Sequence, residues 1–496
     1  MKKLFVLLCL MILPHTAAAA DRIALVVGMA DYSTVVKLDN TVNDARGIAR
    51  TLEGIGFQVT VLLDAPGSNF RDAVADFAFR AETADIALIY YAGHGVEVQG
   101  ENFLIPIDAN VTSNRDIQRQ GLSLRDLLAS VEGARKMRIV VLDSCRDNPF
   151  GDLLDQVQLQ QTTATAATTR GAGGGGLAPA SPDRGTLVAY AARDGERALD
   201  GSGDNSPFAL ALMKALPQPG LEISLMFRQV RDDVLAATAN LQEPHTYGSL
   251  SGTPFYIAGA GTGETRVLDT DPRVAWSDIR PDQETRLAAL AEQGDTRSMV
   301  GLAYMRLNSD DSRYDPVKAA ALLERAADAG SAEAQFELAQ LYEIGLGVPQ
   351  NTARALDLYR ASADQGFADA LNDMGFFYFQ GDLGLPRDAA KGLAYFERAA
   401  DQRHPEAMFN FASMIDDGNV PHKSAADAGD YLYRALRSGA TQVHDLLRDR
   451  PTLFKPATRR ALQAKLAENG FYSGGLDGNF GPGTLRAISA AFGQAG

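Results

Sequence analysis

The residues best suited to chemistry sit in two short phrases, Tyr90-Tyr91-Ala92-Gly93-His94-Gly95 and Val141-Leu142-Asp143-Ser144-Cys145. Each closes an apolar run, Ile86–Ala92 and Arg138–Asp143, that reads as a buried parallel strand. Open α/β sheets place their chemistry at the carboxyl ends of such strands, so an imidazole and a thiol are expected side by side there. A neutral thiol is a weak nucleophile, and an imidazole that takes its proton produces the thiolate that attacks carbonyl carbon. The glycines flanking His94 leave room for backbone or substrate to approach.

Scarcity narrows the choice further. The chain holds 2 cysteines and 6 histidines. Residues 1–20 read as a cleavable secretory signal: Lys2 and Lys3, an apolar run Leu4–Leu13, then Ala18-Ala19-Ala20 before Asp21. That run is too short to span a bilayer. Cys9 lies inside the signal, so the exported chain keeps Cys145 alone and can form no internal disulfide. A lone thiol in an oxidising compartment calls for a reason, against the plain alternative of a buried inert cysteine. In the first 260 residues after the signal, His94 is joined only by His245, in EPHTYG, which reads as a surface loop. With 47 basic against 62 acidic residues the formal charge is −15, which disfavours nucleic acid and anionic lipid as partners. No later run of about eighteen apolar residues exists, so the mature chain has no expected transmembrane segment. Zinc-ligand clusters, phosphate-binding glycine loops and serine-hydrolase elbows are missing from the sequence.

Three kinds of sequence must position these residues. In residues 21–259 apolar strands (23–28, 58–63, 86–92, 137–143, 187–192 and a last one near 255–257) alternate with amphipathic helices (44–54, 68–82, 122–132, 207–216, 223–239). The pattern predicts a mostly parallel six-stranded sheet with helices on both faces, the α/β class. The segment 146–185, rich in Thr, Ala and Gly, reads as a flexible linker. After a second linker, 260–280, residues 281–445 repeat: ALAEQG, RAADAG, SADQG, AADQR and RALRSG end 36, 36, 37 and 36 residues apart. A fixed period of that length means stacked helix–turn–helix units, an all-α solenoid that usually serves as an interaction surface. Residues 455–496 form a third unit, two helices around LDGNFGPGT, a small helical domain.

These phrases carry resemblances. Strand–GHG and strand–DSC lie 51 residues apart in the order His then Cys, so residues 21–259 resemble the caspase-like cysteine peptidases, closest to the metacaspase branch. GDNSPFALALMKAL at 203–216 is similar to the small-subunit half of that fold. The resemblance implies Cys145 as nucleophile, His94 as general base and later acid, and the backbone N–H groups of Gly95 and Cys145 as oxyanion hole. TVND at 41–44 aligns with the metacaspase CxxD pattern, Thr41 standing for the cysteine, and supplies Asp44. Asp143 stands where caspases carry a pocket glutamine, and Ala92 where a serine is common. Asp44 and Asp143 together form a substrate pocket expected to accept arginine or lysine; the plain alternatives are a helix cap for Asp44 and a loop brace for Asp143. Such linkers can be self-cleaved in the family; between 147 and 185 the basic residues are Arg170 and Arg184, the expected cleavage positions.

The repeats resemble the Sel-one-like, tetratricopeptide-type family, most clearly over 332–366, and imply a protein partner on the solenoid. The tail resembles a peptidoglycan-binding module through Asp477, Gly478, Phe480 and Gly481, with peptidoglycan as the implied ligand and Asp477 turning the backbone rather than acting as an acid. No cofactor or metal is implied, and the acidic residues are too dispersed to define the calcium site that activates many metacaspases. The expectation is a periplasmic or secreted cysteine endopeptidase acting on protein or peptide substrates. A non-catalytic envelope scaffold with a degenerate caspase-like domain is the alternative, and a wall hydrolase a third reading.

Overall fold

A computed structural model of the chain describes residues 22–145, 185–193, 198–201, 203–248, 250, 253–259, 272–277 and 279–493. The expected signal, Arg170, Arg184 and most of both expected linkers lie outside the described residues.

The first domain is built on strands β1 (Arg22–Gly28), β2 (Gln58–Leu63), β3 (Ile86–Val98), β4 (Glu101–Leu104), β5 (Leu122–Ser123), β6 (Met137–Cys145), β7 (Thr186–Tyr190) and β8 (His245–Gly248). The main path runs β2-β1-β3-β6-β7-β8, with β4 and β5 attached beyond it to the end of β3. The β2, β1, β3, β6 and β7 ladders are parallel, and β8 closes the edge antiparallel to β7.

Strand alternation separates two cores. Ala24, Val26, Leu88, Tyr90, Ile139 and Val141 face one layer, under helices α1 (Thr41–Gly54), α5 (Pro207–Ala215) and α6 (Ile223–Ala237). Leu25, Val27, Ile89, Tyr91, Val140 and Leu142 face the other, under α2 (Gly67–Ala81) and α4 (Leu124–Val131), with the short α3 (Asn114–Gln120) alongside. All of these strand residues are almost fully buried. The continuous apolar runs of the sequence are those of strands covered on both sides.

Three expectations are corrected. The third strand does not stop at Ala92: it continues through His94 to Val98, where it leaves the parallel ladder and pairs with β4. The last strand is 245–248 rather than 255–257. His245 is therefore an edge-strand residue, exposed and polar as edge strands often are, which is why it read as loop. Phe255 and Ile257 are buried in the core, but their segment contributes only a bridge from Tyr256 to Glu222.

From Pro272 onward the chain is helical: α7 (Pro272–Ser277), α8 (Pro281–Glu292), α9 (Thr296–Leu307), α10 (Pro316–Asp328), α11 (Ala332–Ile344), α12 (Thr352–Asp364), α13 (Ala368–Gln380), α14 (Ala389–Asp401), α15 (Pro405–Asp417), α16 (Ala425–Arg437), α17 (Thr441–Asp449), α18 (Pro456–Glu468) and α19 (Pro482–Phe492). The residues that marked the period are the turns between helices. Gly294, Gly330, Gly366 and Gly439 have φ of 93°, 91°, 84° and 81°, the left-handed conformation that ends a helix, and Arg403 adopts it at 60° in the fourth place.

The arm of repeats touches the first domain at both ends. Near its start Gln283 is buried and donates to the carbonyl of Gly220, and Arg297 approaches Glu222. Near its end Tyr433 donates to Glu82 at 2.9 Å, Arg437 to the carbonyl of Gly133 at 3.0 Å, and Arg403 to the carbonyl of Glu132 at 2.9 Å. Arg135 of the first domain donates to the carbonyl of Phe492, in the last helix, at 3.2 Å. Among the described residues no helix is long and apolar enough to cross a membrane.

Candidate active site

His94 and Cys145 are direct partners in the β3–β6 register. Neighbouring strands lie about 4.8 Å apart, so the two backbones meet at the point where β6 ends and β3 turns into its hairpin. The histidine is held from three directions. Its N–H donates to the Tyr32 hydroxyl at 2.8 Å, and its carbonyl accepts from the Tyr91 hydroxyl at 2.8 Å and from the Ile105 N–H at 3.0 Å. The Tyr32 ring lies against the imidazole at 4.5 Å between centroids.

Gly93 has a different reason from the one expected. A β-carbon there would stand 2.6 Å from the Tyr32 hydroxyl and 2.7 Å from that of Tyr91, so the glycine makes room for two tyrosines rather than for substrate. Gly95 sits opposite Leu104 in the hairpin ladder.

The imidazole is 5% exposed, with Nε2 at 2.8 Å from the carbonyl of Val36 and Nδ1 buried with no hydrogen-bond partner among the described residues. A carbonyl can only accept, so the neutral ring carries its proton on Nε2 and keeps a lone pair on Nδ1. Burial lowers its pKa below the usual histidine value, opposed by the Val36 carbonyl and by the charge of Asp200. At neutral pH the ring is an uncharged base.

Asp44 and Asp143 converge beside it, and Ser206 joins them. Its N–H donates to Asp44 at 3.0 Å while its hydroxyl donates to Asp143, also at 3.0 Å. Asn205 adds a bond to Asp44 at 2.8 Å, and Tyr90 one to Asp143 at 2.8 Å. Asp44 is therefore not the cap of α1, whose N-cap is Asn40. Neither carboxylate has a cation beside it among the described ion pairs, and both are buried, at 1% and 7% exposure. Burial first, then the charge of Asp44, pushes the Asp143 carboxyl up to about 7; burial also raises Asp44. Asp200 adds negative charge to both and anchors itself on the N–H of Asp39 at 2.9 Å. Burial and Asp143 also hold the Tyr90 hydroxyl firmly protonated.

Sequence reasoning missed Tyr32, Val36, Asp200, Asn205 and Ser206. The last two stood in GDNSPF, quoted as a family resemblance, where Ser206-Pro207 is a plain helix start and signals nothing about Asp44 or Asp143.

The tail residues form a separate place. Asp477 accepts from the Asn479 N–H at 2.8 Å and the Gln463 amide at 3.2 Å, as expected of a turn residue, and Gly478 donates to Gln463 at 2.7 Å. Gly481 is the N-cap of α19, and Phe480 packs partly buried on the core. Gln463, fully buried, ties this loop together and went unnoticed in the sequence. Among the described residues no three His, Cys, Asp or Glu side chains converge to hold a metal ion.

The sheet, the His–Cys register and the buried carboxylates define a caspase-type domain, and comparison with known proteins agrees. Residues 21–256 match the family model of the caspase domain, peptidase family C14. Residues 296–331, 332–367 and 368–404 each match the Sel1 repeat, and 455–491 match a peptidoglycan binding domain. The first domain thus matches the caspase-domain model, and Sel1 repeats and a peptidoglycan-binding-type domain follow in that order. Its relatives are paracaspases and metacaspases. Mucosa-associated lymphoid tissue lymphoma translocation protein 1 of Homo sapiens is 30% identical over 160 residues, 31% of this chain and 19% of that protein. Metacaspase-4 of Arabidopsis thaliana is 29% identical over 158 residues, 28% of this chain and 35% of that protein. Paracaspase of Dictyostelium discoideum is 26% identical over 136 residues, 26% of this chain and 32% of that protein. The match spans between 19% and 35% of the length of these three relatives.

Proposed function

We propose that the chain is a cysteine endopeptidase that cuts after arginine or lysine. Cys145 attacks the scissile carbonyl, and His94 takes the thiol proton on Nδ1 and returns it to the leaving amine. The N–H groups of Gly95 and Cys145 then hold the oxyanion. The acyl-enzyme is released by water that His94 activates.

The observation that carries the reading is the pair of buried carboxylates with no cation beside them among the described residues. A buried charge needs a partner, and an incoming guanidinium supplies one, with bidentate geometry that a carboxylate matches. An aspartate side chain in the same place would add a further negative charge. In this reading the repeats hold a protein partner, the tail holds peptidoglycan, and export through residues 1–20 brings all three to the cell envelope. Self-cleavage, where it occurs, follows Arg170 or Arg184.

A peptidyl-arginyl chloromethyl ketone tests the site. Intact-mass and fragment analysis should find one adduct, on Cys145, formed about 10²–10⁴-fold more slowly in His94→Ala. The aspartyl analogue should leave the protein unmodified. No adduct on Cys145, or equal labelling by both reagents, would overturn the proposal.

A further inference from the structure

The repeats carry acidic charge with a period of their own. Glu333 and Glu337 of α11 recur 36 residues later as Asp369 and Asp373 of α13, the same two positions of successive units. Glu406 of α15 continues the first row, 37 residues beyond Asp369. Residues four apart share one face of a helix, so an acidic stripe runs along the first helices of these units. Like charges at that spacing destabilise a helix, so the stripe is not there for stability.

Three carboxylates on this face, Glu337, Glu343 and Asp373, are half-buried and form no ion pair among the described residues. Their hydrogen bonds come from neutral groups: Tyr304 to Glu337 at 3.0 Å, Tyr359 to Glu343 at 2.7 Å, and the Asn372 amide to Asp373 at 3.4 Å. Burial, then the charge of Glu333, pushes Glu337 up to about 7, with Arg273 opposing the rise in part. Burial, then Asp369, pushes Asp373 up to about 7 as well. Asp369 itself is better served, with His404 at 3.4 Å. Asn372 adds a need of another kind. Its side chain, 3% exposed, ends against Asp373, and its Oδ1 is buried with no hydrogen-bond partner among the described residues. An unpaired buried carbonyl is costly. That carbonyl and the ionised carboxylates can only accept, so what the face lacks is a donor.

We propose that the first helices of the repeats seat a lysine- or arginine-rich segment of a protein partner, one cationic side chain meeting Asp373 and Asn372 and another meeting Glu337 or Glu343. Ammonium and guanidinium groups bring several donors and no acceptor, which matches a face made of acceptors. The carboxylates are spread along the arm rather than gathered at one point, and among the described residues no three acidic, His or Cys side chains converge to hold a metal ion. A peptide with positive charge at intervals fits that spread. This names the chemistry of the partner that the proposed function gives to the repeats and rests on that part of it alone; Cys145 plays no role.

Fluorescence anisotropy tests it on the full chain carrying Cys145→Ala and Asp143→Asn, which remove proteolysis and the basic pocket together. The probes are two labelled peptides, one of alternating lysine and serine and one of alternating glutamate and serine. Saturable binding of the lysine peptide alone is expected. Adding Asp373→Asn or Glu337→Gln should weaken it about tenfold, the effect of losing one charged hydrogen bond. Each change swaps a carboxyl for an amide of the same shape and removes a poorly solvated charge, so thermal unfolding should not fall. No saturable binding of the lysine peptide, equal binding of the glutamate peptide, or unchanged affinity in both variants would overturn the inference. None of these results touches the peptidase proposal, which is read separately from adduct formation on Cys145 in the unmutated chain.

Discussion

At the scale of residues, the account turns on which groups hold protons. Asp143, pushed up to about 7 by burial and by Asp44, must ionise to receive a basic side chain. His94, whose pKa is lowered, is already neutral there. The acid limb of kcat/KM on an arginyl peptide is therefore expected near pH 7 and set by the carboxylate pair. Asp143→Asn should remove that limb and reduce kcat/KM by about 10- to 100-fold, the size of a lost charged hydrogen bond. An unchanged pH profile would refute the assignment. Stability should carry the same signature. A carboxyl whose folded pKa is raised binds its proton more tightly folded than unfolded. Its contribution is full below about pH 4 and fades as pH rises through about 7. Urea midpoints should fall over that window in the wild type and fall less in Asp143→Asn.

At the scale of elements, the site depends on a strand that changes partners. β3 runs parallel to β6 as far as His94 and then pairs antiparallel with β4. Tyr32 and Tyr91 fasten the backbone at that change, with Gly93 fitted beneath their hydroxyls. Gly93→Ala should cost about 1–3 kcal/mol by overpacking and abolish activity with little loss of secondary structure, measured by urea unfolding and circular dichroism. A fully active Gly93→Ala variant would contradict this role. This part was only half legible in the sequence. Apolar runs and spacing revealed the strands and the His–Cys order because burial on both faces leaves a local pattern. The contacts of Tyr32 and Ser206 were not visible, because each joins residues distant in sequence that look ordinary where they stand; the hairpin 95–104, a local turn at Gln99-Gly100, went unread because the GHG phrase was read as the strand's end. The polar edge strand at 245–248 failed for a related reason: its alternation is too short and too exposed to register.

At the scale of the whole molecule, the repeats form an arm that leaves the first domain near Glu222 and returns to it near Glu82. Arg437, 4% exposed, bonds to the carbonyls of Gly133 and Ala491 and so joins arm, tail and first domain. Arg437→Met should destabilise the chain by about 3–5 kcal/mol, the usual penalty for breaking a buried charged network, and expose the junction to limited proteolysis. Unaltered thermal unfolding would argue against a rigid return. The period of about 36 residues made the arm legible from sequence, since the turns repeat a left-handed position, glycine in four places and Arg403 in the other. Where the arm docks was not, because Glu82, Gly133 and Arg437 carry no pattern of their own. Hydrolysis by the full chain tests the central claim most directly, using two fluorogenic peptides alike except for arginine or aspartate before the cut. The account predicts cleavage of the arginyl peptide only, lost in Cys145→Ala. Cleavage of the aspartyl peptide, or activity surviving Cys145→Ala, would contradict it.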